Sequence, residues 1–500
     1  MDGTHVADLV VANAARVPDQ PAIVDMTSAN TVTWAQLDEA VSAEADRVSG
    51  AGVGTGDRVV VRLAGGAAFC VAVLGALRAG AVVVPHGSVA VERELEVVFT
   101  DCHPKLVIAA DGDDAARRRA AAVDAAVIGP PDLTARAPGR AGVGGGEDIA
   151  LLVYASGTTG VPRGIQLSHR ALLANRAQTA ALRPAPVTPV DRVLLSLPLF
   201  HIFGLAAGFL QVCWVGATAV LAEQLEPEQV ADVLVAQRVS ALAGVPTMYR
   251  ALLDLPAERL RTATANVRLC TSGGAPLPPE WLGEFHKATG LAIVEGYGLT
   301  EAGPVVTTNP LGAPPKPGSV GRALPGVDLR LVDADGRPLE PEDEDEELDD
   351  GDTGLVAVRG PNLFSGYWPD GAGGPDADGW FRTADVGFLD ADGDLHLVER
   401  SSDVVIVNGF NVYPREVEQV LLAIEGVTEA AVVGQRDERA GEVVKAVLVT
   451  DPAAGVDEAA VRAFCAQRLA RFKVPAVIVF VRELPRTPTG KIARRQLARS

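Results

Sequence analysis

Basic residues are scarce in this sequence: 44 Lys and Arg stand against 64 Asp and Glu, a formal net charge of -20. Nucleic acid and anionic membrane surfaces both attract basic patches, so neither is an expected partner. Ten of the carboxylates fall in one run, "EPEDEDEELDDGD" at 340–352, which contains no base and reads as a solvated loop between two strands. Cysteine is also sparse. Cys70, Cys102, Cys213, Cys270 and Cys465 are scattered, form no CxxC and have mostly apolar neighbours, which fits a reducing cytoplasm and excludes a disulfide framework. The first residues, "MDGTHVADLV", carry no basic stretch and no cleavage signature, so no secretion signal is expected. Membrane insertion is not expected either. The longest uncharged run, 201–222, contains His201, Gln211 and several glycines, and reads as a buried helix turning at Gly216 into a buried strand.

What is abundant is small and apolar. Hydrophobic residues make up 48% of the chain, charged residues 22% and aromatics 5%, a globular composition rich in Ala, Val and Gly. Five hundred residues exceed what one core organises, so two or more units are expected. Short β-rich runs such as "DRVVVRL", "AVVVP", "KLVIAA", "NVRLCTS" and "LAIVEG" alternate with helical stretches, the rhythm of parallel sheets covered by helices. The texture changes near Arg400. From "SDVVIVNGFNVYP" onward a hairpin, two helices and further strands predict a separate α+β unit of about a hundred residues.

One loop raises the question of chemistry. "YASGTTGVPRG", 154–164, follows the apolar run "IALLV" and is built of glycines, threonines and a serine, a composition that can cradle phosphates. It is not a Walker A loop. That template needs GK[ST] opening a helix, whereas here the second half is "GVPRG" and Pro162 blocks an uninterrupted helix start.

The loop resembles instead the "SGTTGxP[KR]G" signature of the adenylate-forming (ANL) superfamily, which includes acyl-CoA and aryl-CoA synthetases, 4-coumarate-CoA ligases, luciferases and peptide-synthetase adenylation domains. Six further stretches resemble family motifs in the family's order: "LPLFHIFGL" (197–205), "TSGGAPL" (271–277), "GYGLTEAGPV" (296–305), "GWFRTADVG" (379–387), "ERSSDVVIVNGFNVYPREVE" (399–418) and "PRTPTGKIARRQL" (485–497). The resemblance covers nearly the whole chain. It implies an α/β fold with a large N-terminal domain of helix-covered β-sheets over 1–399, a hinge at 400–403, and a small mobile C-terminal α+β domain over 404–500.

The implied activity joins a carboxylate to AMP, and the residue types suit it. Two anions meet when a carboxylate attacks the α-phosphorus of ATP, so the site must cancel charge as pyrophosphate leaves. Ser156, Thr158 and Thr159, with Gly157 and Gly160, would cradle the β and γ phosphates, and Arg163 stands where the family usually carries Lys. Ser272, Gly273, Gly274, Ala275 and Pro276 form a nucleotide-contacting turn, followed by Glu295, Gly296, Tyr297 and Gly298. The resemblance sets Tyr297 against adenine, Thr300 on the α-phosphate and Glu301 on Mg²⁺, matching a π-face, a neutral donor and a hard oxygen ligand. Asp385 would take the ribose hydroxyls and Arg400 a second ribose or phosphate contact, although the family's "TGD" reads Thr383-Ala384-Asp385 here. Lys491 would bridge carboxylate and phosphate oxygens as charge builds, and then be withdrawn as the small domain rotates at Ser402 and Asp403 to present Gly409 and Asn411.

By positional match the acyl pocket is lined by His201, Phe203, Ala207, Thr271, Gly274, Gly298, Pro304 and Val305. Its walls are small or apolar, which suits an aryl, cinnamate-like or medium-chain acid, and no Asp awaits an amino acid's ammonium group. His201 is counted with Lys491, Thr300 and Glu301 among the catalytic candidates, as a gate or as packing. The acceptor stays open. Coenzyme A comes first, although the lysines that coumarate ligases carry are Ile406 and Asn408 here and their Gln is Asn411. A phosphopantetheine on an acyl carrier protein comes second, then an amine or nitrogen oxyanion. A catalytically silent nucleotide-binding homologue would have lost residues that this chain keeps.

Overall fold

In the computed structural model the chain is described at residues 4–88, 90, 92–156, 162–223, 225–339, 353–400, 405–407, 410–412, 414–437, 441–469, 473–486 and 492–499. The acidic run 340–352 therefore lies outside the described residues. Two compact units emerge, one of residues 1–329 with 358–381, the other of 330–357 with 382–500.

The first unit is layered. Valine runs such as Arg58–Arg62 and Val82–Pro85 are buried on both faces, as strands inside helix-covered parallel sheets are. Pairing yields a six-stranded sheet, in the order Ala126–Ile128, Leu106–Ala109, Arg58–Arg62, Val82–Pro85, Ile149–Ser156, Pro162–Ser168. A nine-stranded sheet runs Arg322–Ala323, Val305–Thr308, Ile293–Gly298, Leu269–Ser272, Ala241–Gly244, Arg192–Leu195, Thr218–Leu221, Pro21–Asp25, Asn30–Thr33. Helix Ala67–Arg78 is apolar almost all round and buried along its length, and it belongs to the same core cluster as strand residues of both sheets. The neighbouring helix Trp34–Gly50 starts at a reciprocal cap: Thr33 Oγ1 accepts the Gln36 amide at 3.3 Å and Gln36 Oε1 accepts the Thr33 amide at 3.0 Å.

The run at 201–222 folds as its composition predicts. A wide π-type helix, Phe203–Leu210, continues as Gln211–Val215, stops at Gly216 with φ of 78°, and re-enters the sheet as Thr218–Leu221. No helix among the described residues is long and apolar enough to cross a membrane. All five cysteines are free and buried.

The second unit carries a four-stranded sheet (Asp328–Val332, Gly354–Arg359, Trp380–Leu389, Leu395–Arg400) and a five-stranded one. The latter contains the predicted hairpin, Val405–Val407 against Phe410–Val412, and the long antiparallel pair Val427–Asp437 and Gly441–Thr450, with Val477–Val481 added in parallel. Helices Pro414–Leu422 and Glu458–Ala466 contribute Val417, Leu421, Val461 and Cys465 to its core.

Candidate active site

Four neighbouring strands of the nine-stranded sheet deliver three of the motif stretches to one edge. Arg192–Leu195, Ala241–Gly244, Leu269–Ser272 and Ile293–Gly298 are all parallel, so the segments after their carboxyl ends, 197–205, 273–277 and 299–305, leave on the same side. In open α/β sheets that edge is where ligands bind.

Each loop is shaped by contacts with its neighbours. After Arg192–Leu195, the His201 amide donates to Pro198 O at 3.1 Å and His201 Nδ1 accepts the Phe203 amide at 3.2 Å. Gly204 follows because a Cβ there would stand 2.5 Å from Pro198 O. In the 273–277 turn Gly274 has φ of 82°, and the Leu277 amide donates to Oε1 of buried Glu295 at 3.1 Å. Glu295 thus folds the turn from the adjacent strand. A side chain on Gly273 would meet the Phe203 ring at 3.4 Å, one on Gly296 would stand 2.9 Å from Thr307 O, and one on Gly298 would stand 2.2 Å from Pro304 O. Tyr297, between those glycines, pairs with Thr307 and is buried. Thr271 is half-buried, Ala275 likewise, and Pro276 is exposed.

The 299–305 turn hangs on a buried polar scaffold. Glu301 O accepts the Phe364 amide at 2.9 Å, Ala302 O accepts Asn362 Nδ2 at 2.8 Å, and Gly303 O accepts Arg176 Nη2 at 3.2 Å. Asn175 clamps Val305 from both sides, accepting its amide at 3.0 Å and donating to its carbonyl at 2.7 Å. Asn175, Arg176 and Asn362 are each 0% exposed. These hydrogen bonds to main-chain groups hold the irregular backbone in one conformation. Thr300 and Glu301 stand on the short 3₁₀ turn Thr300–Ala302 that this scaffold fixes, followed by Gly303, buried Pro304 and half-buried Val305.

The glycine-rich loop joins two antiparallel strands, Ile149–Ser156 and Pro162–Ser168, so Pro162 opens a strand rather than a helix. The described part of the loop is tied to the 299–305 turn by a strap, 361–374. Ile165 pairs with Tyr367, the Trp368 amide donates to Gly164 O at 2.8 Å, the Arg163 guanidinium lies 3.7 Å from the Tyr367 ring centroid, and the Tyr367 hydroxyl donates to Glu301 Oε1 at 2.9 Å. Burial first, then the Glu301 charge, pushes the Tyr367 phenol up, so it stays a donor. Sequence reasoning missed Tyr367, Asn175, Arg176 and Asn362. Tyr367 sits in "FSGYWPDG", where a Gly- and Pro-rich setting gives no periodicity to mark it.

In the second unit Asp385 is 9% exposed on Trp380–Leu389, its amide donating to Thr383 Oγ1 at 3.1 Å, and it pairs in register with Arg400 on Leu395–Arg400. Ala384 points to the opposite strand face from Thr383 and Asp385, so its methyl does not crowd the carboxylate. Among the described residues one group of three carboxylates could gather a cation, Asp390, Asp392 and Asp394; there Asp390 Oδ1 accepts the amides of the other two and shapes a strand turn. Gly157, Thr158, Thr159, Gly160, Ser402, Asp403, Gly409 and Lys491 lie outside the described residues, as do the side chains of Ser156, Arg400 and Asn411.

The chemistry of the first unit's residues fits a nucleotide. Ser272 Oγ is buried without a partner among the described residues, at the mouth of a glycine turn. Glu301 offers one carboxylate, which is what Mg²⁺ takes from a protein when phosphates supply further ligands.

Comparison with known proteins agrees: the chain belongs to the AMP-binding enzyme family, whose main domain matches residues 10–368 and whose C-terminal domain matches 416–491. The fold is that of the adenylate-forming superfamily, a large N-terminal and a small C-terminal domain. A feruloyl-CoA synthase from Amycolatopsis sp is 35% identical over 486 residues, 94% of each chain. A long-chain-fatty-acid–CoA ligase from Bacillus subtilis (strain 168) is 36% identical over 353 residues, 70% of this chain and 61% of that protein. The crystal structure of ATP-bound MatB from Rhodopseudomonas palustris superposes with a TM-score of 0.90 at 33% identity, covering 99% of this chain and 98% of that one. The first two of these relatives are named as acyl-CoA-forming ligases.

Proposed function

We propose that the protein is an AMP-forming acid–thiol ligase that activates a carboxylic acid with ATP and passes the acyl group to coenzyme A. In the first step a carboxylate oxygen bonds to the α-phosphorus, the bond from that phosphorus to its bridging oxygen breaks, and pyrophosphate leaves with the electron pair. In the second the thiol sulfur bonds to the acyl carbon, its proton is lost, and AMP departs. The observation that carries the reading is the shared sheet edge, where 197–205, 273–277 and 299–305 emerge side by side.

Thr300 donates to the α-phosphate and Glu301, steadied by Tyr367, holds Mg²⁺, which lowers the charge on the triphosphate when bound. Ser156 through Gly160 and Arg163 grip the outer phosphates, Ser272 through Pro276 and Tyr297 bound the nucleotide, and Asp385 with Arg400 takes the ribose. Lys491 neutralises the meeting of two anions in adenylation. For thiolation the 404–500 domain turns about 400–403, bringing forward Gly409 and Asn411. His201, Phe203, Ala207, Thr271, Pro304 and Val305 enclose an aryl, cinnamate-like or medium-chain acyl group. Five buried thiols support a reducing, cytoplasmic setting.

A panel of acids incubated with ATP and Mg²⁺, with and without coenzyme A, tests the assignment. Thioester should form only when coenzyme A is present, with AMP as co-product. Adenylates that acylate a phosphopantetheinylated carrier protein or an amine while never acylating coenzyme A would move the assignment to those acceptors.

A further inference from the structure

Helix His169–Ala180 buries a cation under the catalytic turn. Arg176 is 0% exposed, and its hydrogen-bond partners among the described residues are all neutral: Asn175 Oδ1, Gln211 Oε1 at 3.2 Å and Gly303 O at 3.2 Å. Among the described residues two neighbouring buried donors have no partner, Arg176 Nε and Gln211 Nε2. A buried guanidinium without a counter-ion is costly, and a buried donor left unpaired adds to the cost. Burial pushes the Arg176 guanidinium down to about 9, so it still carries its charge at neutral pH.

The place of this cation is informative. Phe203, Ala207 and Gln211 recur every four residues along Phe203–Leu210 and Gln211–Val215, so they share one side of the helix. Phe203 and Ala207 are half-buried whereas Gln211 is 2% exposed, so that side runs from an open end to a closed one. Gly303 O lies immediately before Pro304 and Val305, and Asn175 clamps Val305. Arg176 therefore ties the buried end of that helix to the turn that carries Pro304 and Val305.

We propose that this end of the acyl pocket seats a second carboxylate on the substrate, with Arg176 as its counter-charge and the Gln211 amide as a neutral donor, so that the acids activated are dicarboxylic. The inference rests on the acid-activating reading above. It adds a specificity that the apolar walls do not supply, because a site that leaves buried donors unpaired discriminates against acids lacking the matching group.

The test compares kcat/KM for pyrophosphate release across matched pairs: straight-chain dicarboxylates of four to eight carbons against monocarboxylates of equal length, and 4-carboxycinnamate against cinnamate. At the best length the dicarboxylate should exceed its partner roughly 10- to 100-fold. Arg176→Met should remove the preference. Gln211→Glu, which gives Arg176 an internal carboxylate, should do the same without leaving a buried charge unpaired, so it serves if the first variant fails to fold. Both are read as the ratio within each pair, which a general loss of stability would not move. A monocarboxylate preference at every length, or a ratio unchanged in either folded variant, would overturn the proposal while leaving acid activation standing. Release with no acid at all would overturn both.

Discussion

The Tyr367 hydroxyl donates to Glu301 Oε1 at 2.9 Å. The same ring lies under the Arg163 guanidinium, so one aromatic side chain joins the 149–168 hairpin to the turn that carries the proposed Mg²⁺ ligand. Removing only the hydroxyl separates these roles. Tyr367→Phe should lower kcat/KM for pyrophosphate exchange about 10-fold and raise the Mg²⁺ concentration for half-maximal exchange, since a hydrogen bond to a charged group contributes about 1.5–3 kcal/mol. A Mg²⁺ titration midpoint equal to that of the parent would contradict the link between Tyr367 and the metal.

Lys491 is proposed to stabilise charge only while the carboxylate meets the α-phosphorus. Lys491→Ala should therefore cut adenylation by roughly 10²-fold, at about 1.4 kcal/mol per decade, and should spare thiolation of a preformed acyl-adenylate. Single-turnover measurement of each half-reaction checks this. Equal losses in both would count against a cation that acts in one step and withdraws from the other.

Gly298 occupies a position where a methyl group would stand 2.2 Å from Pro304 O. Gly298→Ala should push the 299–305 turn away from its strand, destabilising the protein by about 1–3 kcal/mol in urea denaturation and reducing adenylation more than the stability loss explains. A variant of parental stability and activity would show that the turn has slack the packing does not suggest.

Acid should weaken the fold through buried histidines. Burial pushes His86 down to about 4 and His169 down to about 3, and it also lowers His5, whose ring lies 4.0 Å from that of His169. An unfolded histidine titrates near 6.5. The full contribution is thus present above pH 6.5. As pH falls below that, the unfolded chain takes up protons the folded chain refuses, removing up to about 1.4 kcal/mol per pH unit for each group. Unfolding free energies from urea titrations should fall ever more steeply from pH 7 to 5, the slope approaching about two to three protons at pH 5, and His169→Asn, which keeps an acceptor for the Val6 amide, should flatten it by about one. An unaltered slope in that variant would assign the acid sensitivity elsewhere.

How much the sequence disclosed depends on whether the signal was local. Gly216 ended the 203–215 helix where composition placed the turn, and the valine runs became the buried strands. Pro162 excluded a Walker loop, although nothing local revealed that it would open the second strand of a hairpin. The motif residues were identified by resemblance, while the shared sheet edge that gathers three of the stretches is a property of strand order, which no single stretch encodes. Asn175, Arg176 and Gln178 stand in "SHRALLANRAQ", where no local signal marks them as buried. They are buried because their partners include main-chain carbonyls of an irregular turn more than 120 residues away and the side chains of Gln211 and Asn362. Tyr367 was hidden for the same reason, since the strap reaches Glu301 across 66 residues of sequence.

In the proposed reaction ATP is cleaved between its α and β phosphorus atoms by a carboxylate. Exchange of labelled pyrophosphate into ATP, measured without coenzyme A, tests it most directly. Exchange should require both a carboxylic acid and Mg²⁺, with AMP and no ADP among the products. Acid-independent turnover of ATP to ADP and phosphate, or no exchange with an acid that the protein does convert to a thioester, would contradict it.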